Sequence, residues 1–138
     1  MSNAAKAKGT AFERLVADYL AEAIDCERIP AGATLDRGDL WTPGAAIQCK
    51  NRQQLSLGAW LDDTLIQQAN AKKFSHWLVV KRKGTTDPAK QFAICTLAQA
   101  RTLMALVGGA VNDLHIDLAF ASLFVALAAV ALLTIRNR

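Results

Sequence analysis

Cysteine, proline and tyrosine are scarce: 138 residues hold three Cys, three Pro and a single Tyr, with only eight Gly. Cys26, Cys49 and Cys95 are odd in number and far apart, form no C-x-x-C pair, and have only His76 and His115 to join them. A disulfide framework or a zinc centre is therefore not the organising feature, and three buried thiols in a reducing compartment are expected. So few glycines and prolines exclude collagen-like and low-complexity chains, while an apolar share of 52% excludes disorder. Met1 to Lys6 carry no apolar core of the signal-peptide kind, which leads to the expectation of a cytoplasmic protein. No phosphate-binding glycine loop, dinucleotide fingerprint or Ser/His/Asp pattern occurs.

Basic residues are in excess, with 16 Lys and Arg against 12 Asp and Glu, a net charge of +4 that favours a polyanionic partner. The length suits one domain. Composition changes sharply near residue 110. Residues 1–110 hold 14 of the 16 basic residues and 10 of the 12 acidic ones, whereas the 18 residues from Leu118 to Ile135 hold no charge at all. That run sits at the lower edge of what spans a bilayer. Residues 111–138 are therefore expected to form an apolar C-terminal helix that either contacts a membrane through 118–135 or packs on protein. Arg136 and Arg138 beyond the run would lie on the far side of a membrane, against the positive-inside tendency.

Periodicity in the body predicts an α/β sandwich in the order α-β-β-α-β-β-α around a central mixed sheet. Phe12, Leu15, Val16, Tyr19, Leu20, Ala23 and Ile24 recur at helical spacing, and Thr10 with Glu13 forms a capping-box pattern at the start. Asp39-Leu40-Trp41 and Ala46-Ile47-Gln48-Cys49-Lys50 flank the turn residues Thr42-Pro43-Gly44, which predicts a hairpin. A second helix is expected over 57–71 with Leu57, Trp60, Leu61 and Leu65 as its apolar stripe. Trp77 to Val80 reads as a central strand, Phe92 to Cys95 as another, and Thr96 with Gln99 opens a third helix that stops at Gly108-Gly109. Trp41, Trp60 and Trp77 lie in apolar segments and are expected in the core or a dimer contact rather than as base-stacking platforms.

Gln48 and Lys50 are two apart on a strand and so share a face, with Ile47 and Cys49 on the other; Asp39 lies on the partner strand of the hairpin. A carboxylate, an amide oxygen and an ammonium meeting there suit a hard divalent cation, Mg2+ or Mn2+, and the hydrolysis of a phosphodiester. Glu13 on the first helix could complete the acidic shell.

These residues carry a resemblance. Lys8-Gly9-Thr10-Ala11-Phe12-Glu13-Arg14, then Arg28, Gly38-Asp39-Leu40, Ile47-Gln48-Cys49-Lys50 and Trp77-Leu78-Val79-Val80-Lys81-Arg82 together resemble the PD-(D/E)xK nuclease superfamily. Within it the likeness is to Holliday junction resolvases of the archaeal type and the related phage-encoded branch, over roughly residues 6–107. The resemblance implies a restriction-endonuclease-like sandwich and a homodimer that cuts four-way or other branched DNA with Mg2+ or Mn2+. It assigns the active site to Glu13, Asp39, Gln48 and Lys50, with Asp39, Gln48 and Glu13 as metal ligands. Position 48 departs from the pattern, being Gln where Glu or Asp is usual, so the site has one negative charge fewer and weaker metal binding is expected.

Each residue also has a plainer reading. Asp39 after Gly38 is a common turn pair, Lys50 a solvated strand residue, and Glu13 a helix-start acid. Lys81-Arg82-Lys83 is either a solvated loop end or a phosphate contact, to which Lys8, Arg14, Arg28 and Arg52 would add. Gln67 and Gln68 on the second helix are either surface residues or approach the site. Two other functions fit the same chain: a DNA-binding module of this fold without catalysis, and a restriction-like nuclease acting on linear duplex DNA.

Overall fold

The computed structural model describes residues 3–30, 32 and 35–109. They fall into two units, Met1–Thr96 and Leu97–Arg138. The first begins with helix α1, Asn3–Ala21, which starts well before the expected Thr10. The run Asn3-Ala4-Ala5-Lys6-Ala7-Lys8 is rich in Ala and Lys, strong helix formers, and carries the helix backward. Thr10 and Glu13 are thus interior residues, and the capping-box reading does not hold. Phe12, Val16 and Ala17 are buried on one stripe, whereas Ala23 and Ile24 lie past the helix end, their N–H groups bonded to the Leu20 carbonyl.

The strands are β1 (Glu27–Arg28), β2 (Leu40–Trp41), β3 (Ala45–Lys50), β4 (Ser75–Val80) and β5 (Phe92–Ile94), with helix α2 at Leu57–Ala71 and a 3-10 turn at Pro88–Lys90. They form one five-stranded mixed sheet in sequential order, antiparallel except between β3 and β4. The expected hairpin is present, with Leu40 opposite Ile47 and Trp41 opposite Ala46. Thr42 closes its turn by exchanging hydrogen bonds with Ala45. β3 and β4 run parallel because α2 lies between them in the chain and returns it to the starting edge. β1 is the element the sequence reading lacked. Two residues have no periodicity to detect, and this pair is held only by its ladder to β2.

The sheet separates two kinds of interior. On one face α1 packs Phe12, Val16 and Ala17 against Leu40, Ile47, Cys49 and Val79, an apolar core with Trp77 at its margin. On the other face α2 meets β3 and β4 with polar side chains. Its buried residues are Thr64 and Gln67. The expected stripe is corrected: Leu57 and Leu65 are exposed, and Trp60 and Leu61 only half-buried. The helix is turned so that Gln67 faces Gln48 and Gln68 faces His76, because those strand residues need hydrogen-bond partners once covered. Of the three thiols only Cys49 is buried, Cys26 and Cys95 being half-buried; none is in a disulfide.

In the second unit residues 97–109 are helical, so Gly108 and Gly109 lie within the third helix rather than beyond its end. The apolar run 118–135 lies outside the described residues. Among the described residues no helix is long and apolar enough to cross a membrane.

α2 ends on Lys72 in the left-handed conformation, φ 54° and ψ 44°, where the N–H groups of Lys72 and Lys73 close on the carbonyls of Ala69 and Gln68. A residue with a Cβ is strained there by about 1 kcal/mol relative to glycine. Lys72→Gly is expected to raise the stability of the fold by up to about 1 kcal/mol, read as a higher midpoint in urea at unchanged slope.

Candidate active site

The site is seated by a glycine. Gly38 has φ +94°, and a Cβ there would stand 2.7 Å from the carbonyl oxygen of Ile47. Only glycine allows the chain to lie this close to β3. Asp36 helps set the bend, its Oδ1 accepting from the Gly38 N–H at 3.1 Å. Asp39 is thereby delivered to the sheet, donating its N–H to Ile47 O at 2.8 Å while its own carbonyl accepts from Ile29 N–H at 2.8 Å.

With both backbone groups engaged, the carboxylate of Asp39 points along β3. Its Oδ2 accepts from the Cys49 N–H at 2.7 Å and from Gln48 Nε2 at 2.6 Å. Gln48, 7% exposed, turns its Oε1 the other way, where it accepts from Gln67 Nε2. The same Gln67 nitrogen donates to Asp36 Oδ2 at 2.9 Å, and Asn70 Nδ2 donates to the Asp36 carbonyl at 2.8 Å. Gln67 is 2% exposed, and its Oε1 has no hydrogen-bond partner.

Glu13 reaches the site from α1, bound through Oε2 to Arg28 Nε at 2.7 Å. Lys50, on the same face of β3 as Gln48, carries its ammonium 5.9 Å from the centre of the Trp60 ring. Glu13, Arg28, Asp39, Gln48, Lys50 and Arg52 line one cleft of about 230 Å3. A second cavity of about 270 Å3 shares Glu13, Arg28 and Asp39 and is closed by Asp36 and Arg37. The four expected active-site residues therefore meet in a single cleft.

The basic residues divide. Arg28 and Arg52 line the cleft, and Lys8 and Lys81 line an adjoining depression that shares Asn51 with it. Lys81 donates to Thr85 O at 2.7 Å with its ammonium near the Phe12 ring, and Arg82 lies against Phe92. Lys83 and Arg14 are exposed and line none of these hollows. Of the two glutamines on α2, Gln67 joins the site and Gln68 is taken by His76 Nδ1 at 2.9 Å. Trp41 departs from the expected core position: it is 44% exposed, with the Lys73 ammonium 4.8 Å from its ring centre. Asp36 and Lys6, both of which line the cavities, went unmarked in the sequence because neither sits in a periodic segment or a motif.

Burial raises the Asp39 carboxyl above its ordinary value; the Cys49 N–H opposes this, Glu13 and Asp36 add to it, and Lys50 lowers it. Burial likewise pushes the Cys49 thiol far up, so it stays protonated and unreactive. In residue type the cleft suits a hard cation, offering two carboxylates and an amide. In orientation it is less ready. Gln48 presents nitrogen to Asp39, Glu13 is engaged by Arg28, and among the described residues no three His, Cys, Asp or Glu side chains cluster as a cage. No family model, curated protein or solved structure matches the chain.

An acid whose pKa is raised by folding weakens the fold above that raised pKa, and the penalty fades as pH falls through it toward the ordinary 3.8. Asp39→Asn keeps an oxygen for Cys49 N–H and Gln48 Nε2 while removing the buried charge. In cation-free buffer this variant is expected to melt higher than wild type at pH 7, with the gap closing as pH approaches 4; thermal melts across that range check it.

Proposed function

We propose that the protein is a divalent-metal-dependent endodeoxyribonuclease of the PD-(D/E)xK, Holliday junction resolvase-like kind, hydrolysing phosphodiesters in branched DNA as a cytoplasmic homodimer. The observation that carries this reading is the convergence of Glu13, Asp39, Gln48 and Lys50, drawn from α1, the entry to β2 and β3, on one cleft. Asp39 with Gln48 and Glu13 would hold Mg2+ or Mn2+, which when bound supplies a polarised phosphoryl group and a more acidic water.

The chain's own groups have separable parts. Arg28 and Arg52 face the cleft as fixed positive charges and suit the phosphates on either side of the scissile bond. The ammonium of Lys50, limited in its motion by the Trp60 ring, stabilises negative charge that develops on the phosphoryl oxygens and orients the attacking water. Burial of Asp39 and Gln48 keeps bulk water from competing for these groups. The depression at Lys8 and Lys81 extends the positive surface away from the cleft and suits backbone contacts of a bound arm.

One observation favours a second reading. Gln48 gives its nitrogen, not its oxygen, to Asp39, the orientation expected of a DNA-binding module of this fold without catalysis. Cleavage assays on four-way and linear duplexes separate the readings. In Mg2+ or Mn2+ the wild type is expected to cut the junction in preference to linear duplex, and Asp39→Ala and Lys50→Ala to lose about 10^2-fold or more in rate. Junction binding, followed at several salt concentrations, should persist in both variants, because phosphate contacts dominate affinity. Binding without cleavage by the wild type would establish the module, and equal cutting of both substrates the restriction-like nuclease.

A further inference from the structure

Asp36, Gln67, Gln48 and Asp39 form an unbroken polar chain in which each member fixes the direction of the next. Asp36 is acceptor-only, so Gln67 must turn its nitrogen toward Oδ2. That nitrogen then also meets Gln48, which must answer with Oε1. Gln48 is left with nitrogen for Asp39, and donates it at 2.6 Å. The cost of the arrangement is the buried Oε1 of Gln67, which has no partner.

We infer that Asp36 is a positioning residue that sets the hand of the Gln48 amide, and so governs cation affinity at Asp39. The inference rests on the metal-dependent reading above. For Gln48 to offer oxygen beside Asp39, its amide has to reverse and point nitrogen at Gln67. Gln67 then has to reverse as well, and its otherwise unpartnered Oε1 is the acceptor that receives Gln48. The reversal turns the Gln67 oxygen against Asp36 Oδ2, oxygen against carboxylate, and this contact opposes it. Asp36 thereby holds the site with its amide donor inward, a state that satisfies the buried carboxylate of Asp39 in place of a cation.

The substitution Asp36→Asn separates this role from simple charge. Its side-chain oxygen can still accept from the Gly38 N–H, which leaves an NH2 group facing Gln67 in place of Oδ2. That donor favours the reversed chain. Mn2+ binding is measured on the full-length protein by the electron paramagnetic resonance signal of free Mn2+, with thermal melts in parallel. Asp36→Asn is expected to bind Mn2+ about fivefold more tightly than wild type, the equivalent of one hydrogen bond. Asp36→Ala, which removes the opposing contact without adding a donor, should fall between them. In a Gln48→Glu background no amide remains to reverse, so Asp36→Asn should there weaken Mn2+ binding through loss of charge.

Weaker binding by both Asp36 variants in the wild-type background would overturn the inference, since it is what long-range attraction alone produces. If Gln48→Glu binds Mn2+ and the Asp36 variants match wild type, the inference fails while the metal site stands. If neither wild type nor Gln48→Glu binds Mn2+, the metal-dependent reading itself falls, and the inference with it.

Discussion

The structure of the first unit turns on one buried carboxylate oxygen. Asp39 Oδ2 is held between the Cys49 N–H and the Gln48 amide, and burying an acid is tolerable only because both donors are supplied by the strand beside it. Everything near this oxygen follows from that requirement. Gly38 lacks a side chain so that the acid can approach, the hairpin register sets Leu40 against Ile47 so that β3 lies alongside, and α2 brings a glutamine so that the amide oxygen of Gln48 is answered.

The same requirement explains why the two faces of the sheet differ so much. The α1 face is an ordinary apolar core, non-directional and tolerant of repacking. The α2 face is built from groups that must each find a particular partner: Gln48 with Gln67, His76 with Gln68, and the Thr64 hydroxyl with the carbonyl of Leu61. Directional bonds of this kind fix a helix more narrowly than apolar contact does. They allow α2 to leave Leu57 and Leu65 exposed and still hold its place.

Much of this was legible in the sequence. Alternation at Ile47, Gln48, Cys49 and Lys50 gave the two faces of β3, turn chemistry gave the hairpin, and the order of the acidic and basic residues gave the convergence in the cleft. Failures occurred where local pattern competes with distant partners. The apolar spacing of α2 pointed Leu57 and Leu65 inward, but long-range hydrogen bonding decided its rotation. The Thr10–Glu13 pattern was overridden by a stretch of strong helix formers before it. Asp36 sits in an irregular loop and matters only through a helix that follows 31 residues later at Gln67, a relation with no signature in a single sequence. The direction of the Gln48 amide was equally hidden, because residue type fixes which atoms are available and only neighbours fix which one faces inward.

The outer strands of the sheet are very short, two residues in β1 and three in β5. A row of unpaired backbone groups that brief cannot template a further strand, which protects the sheet against edge-to-edge aggregation. It also bears on how copies of the first unit can associate. A continuous ten-stranded sheet across two molecules is not open to them through β1 or β5, so recognition between copies has to be written in side chains, where single substitutions can tune it.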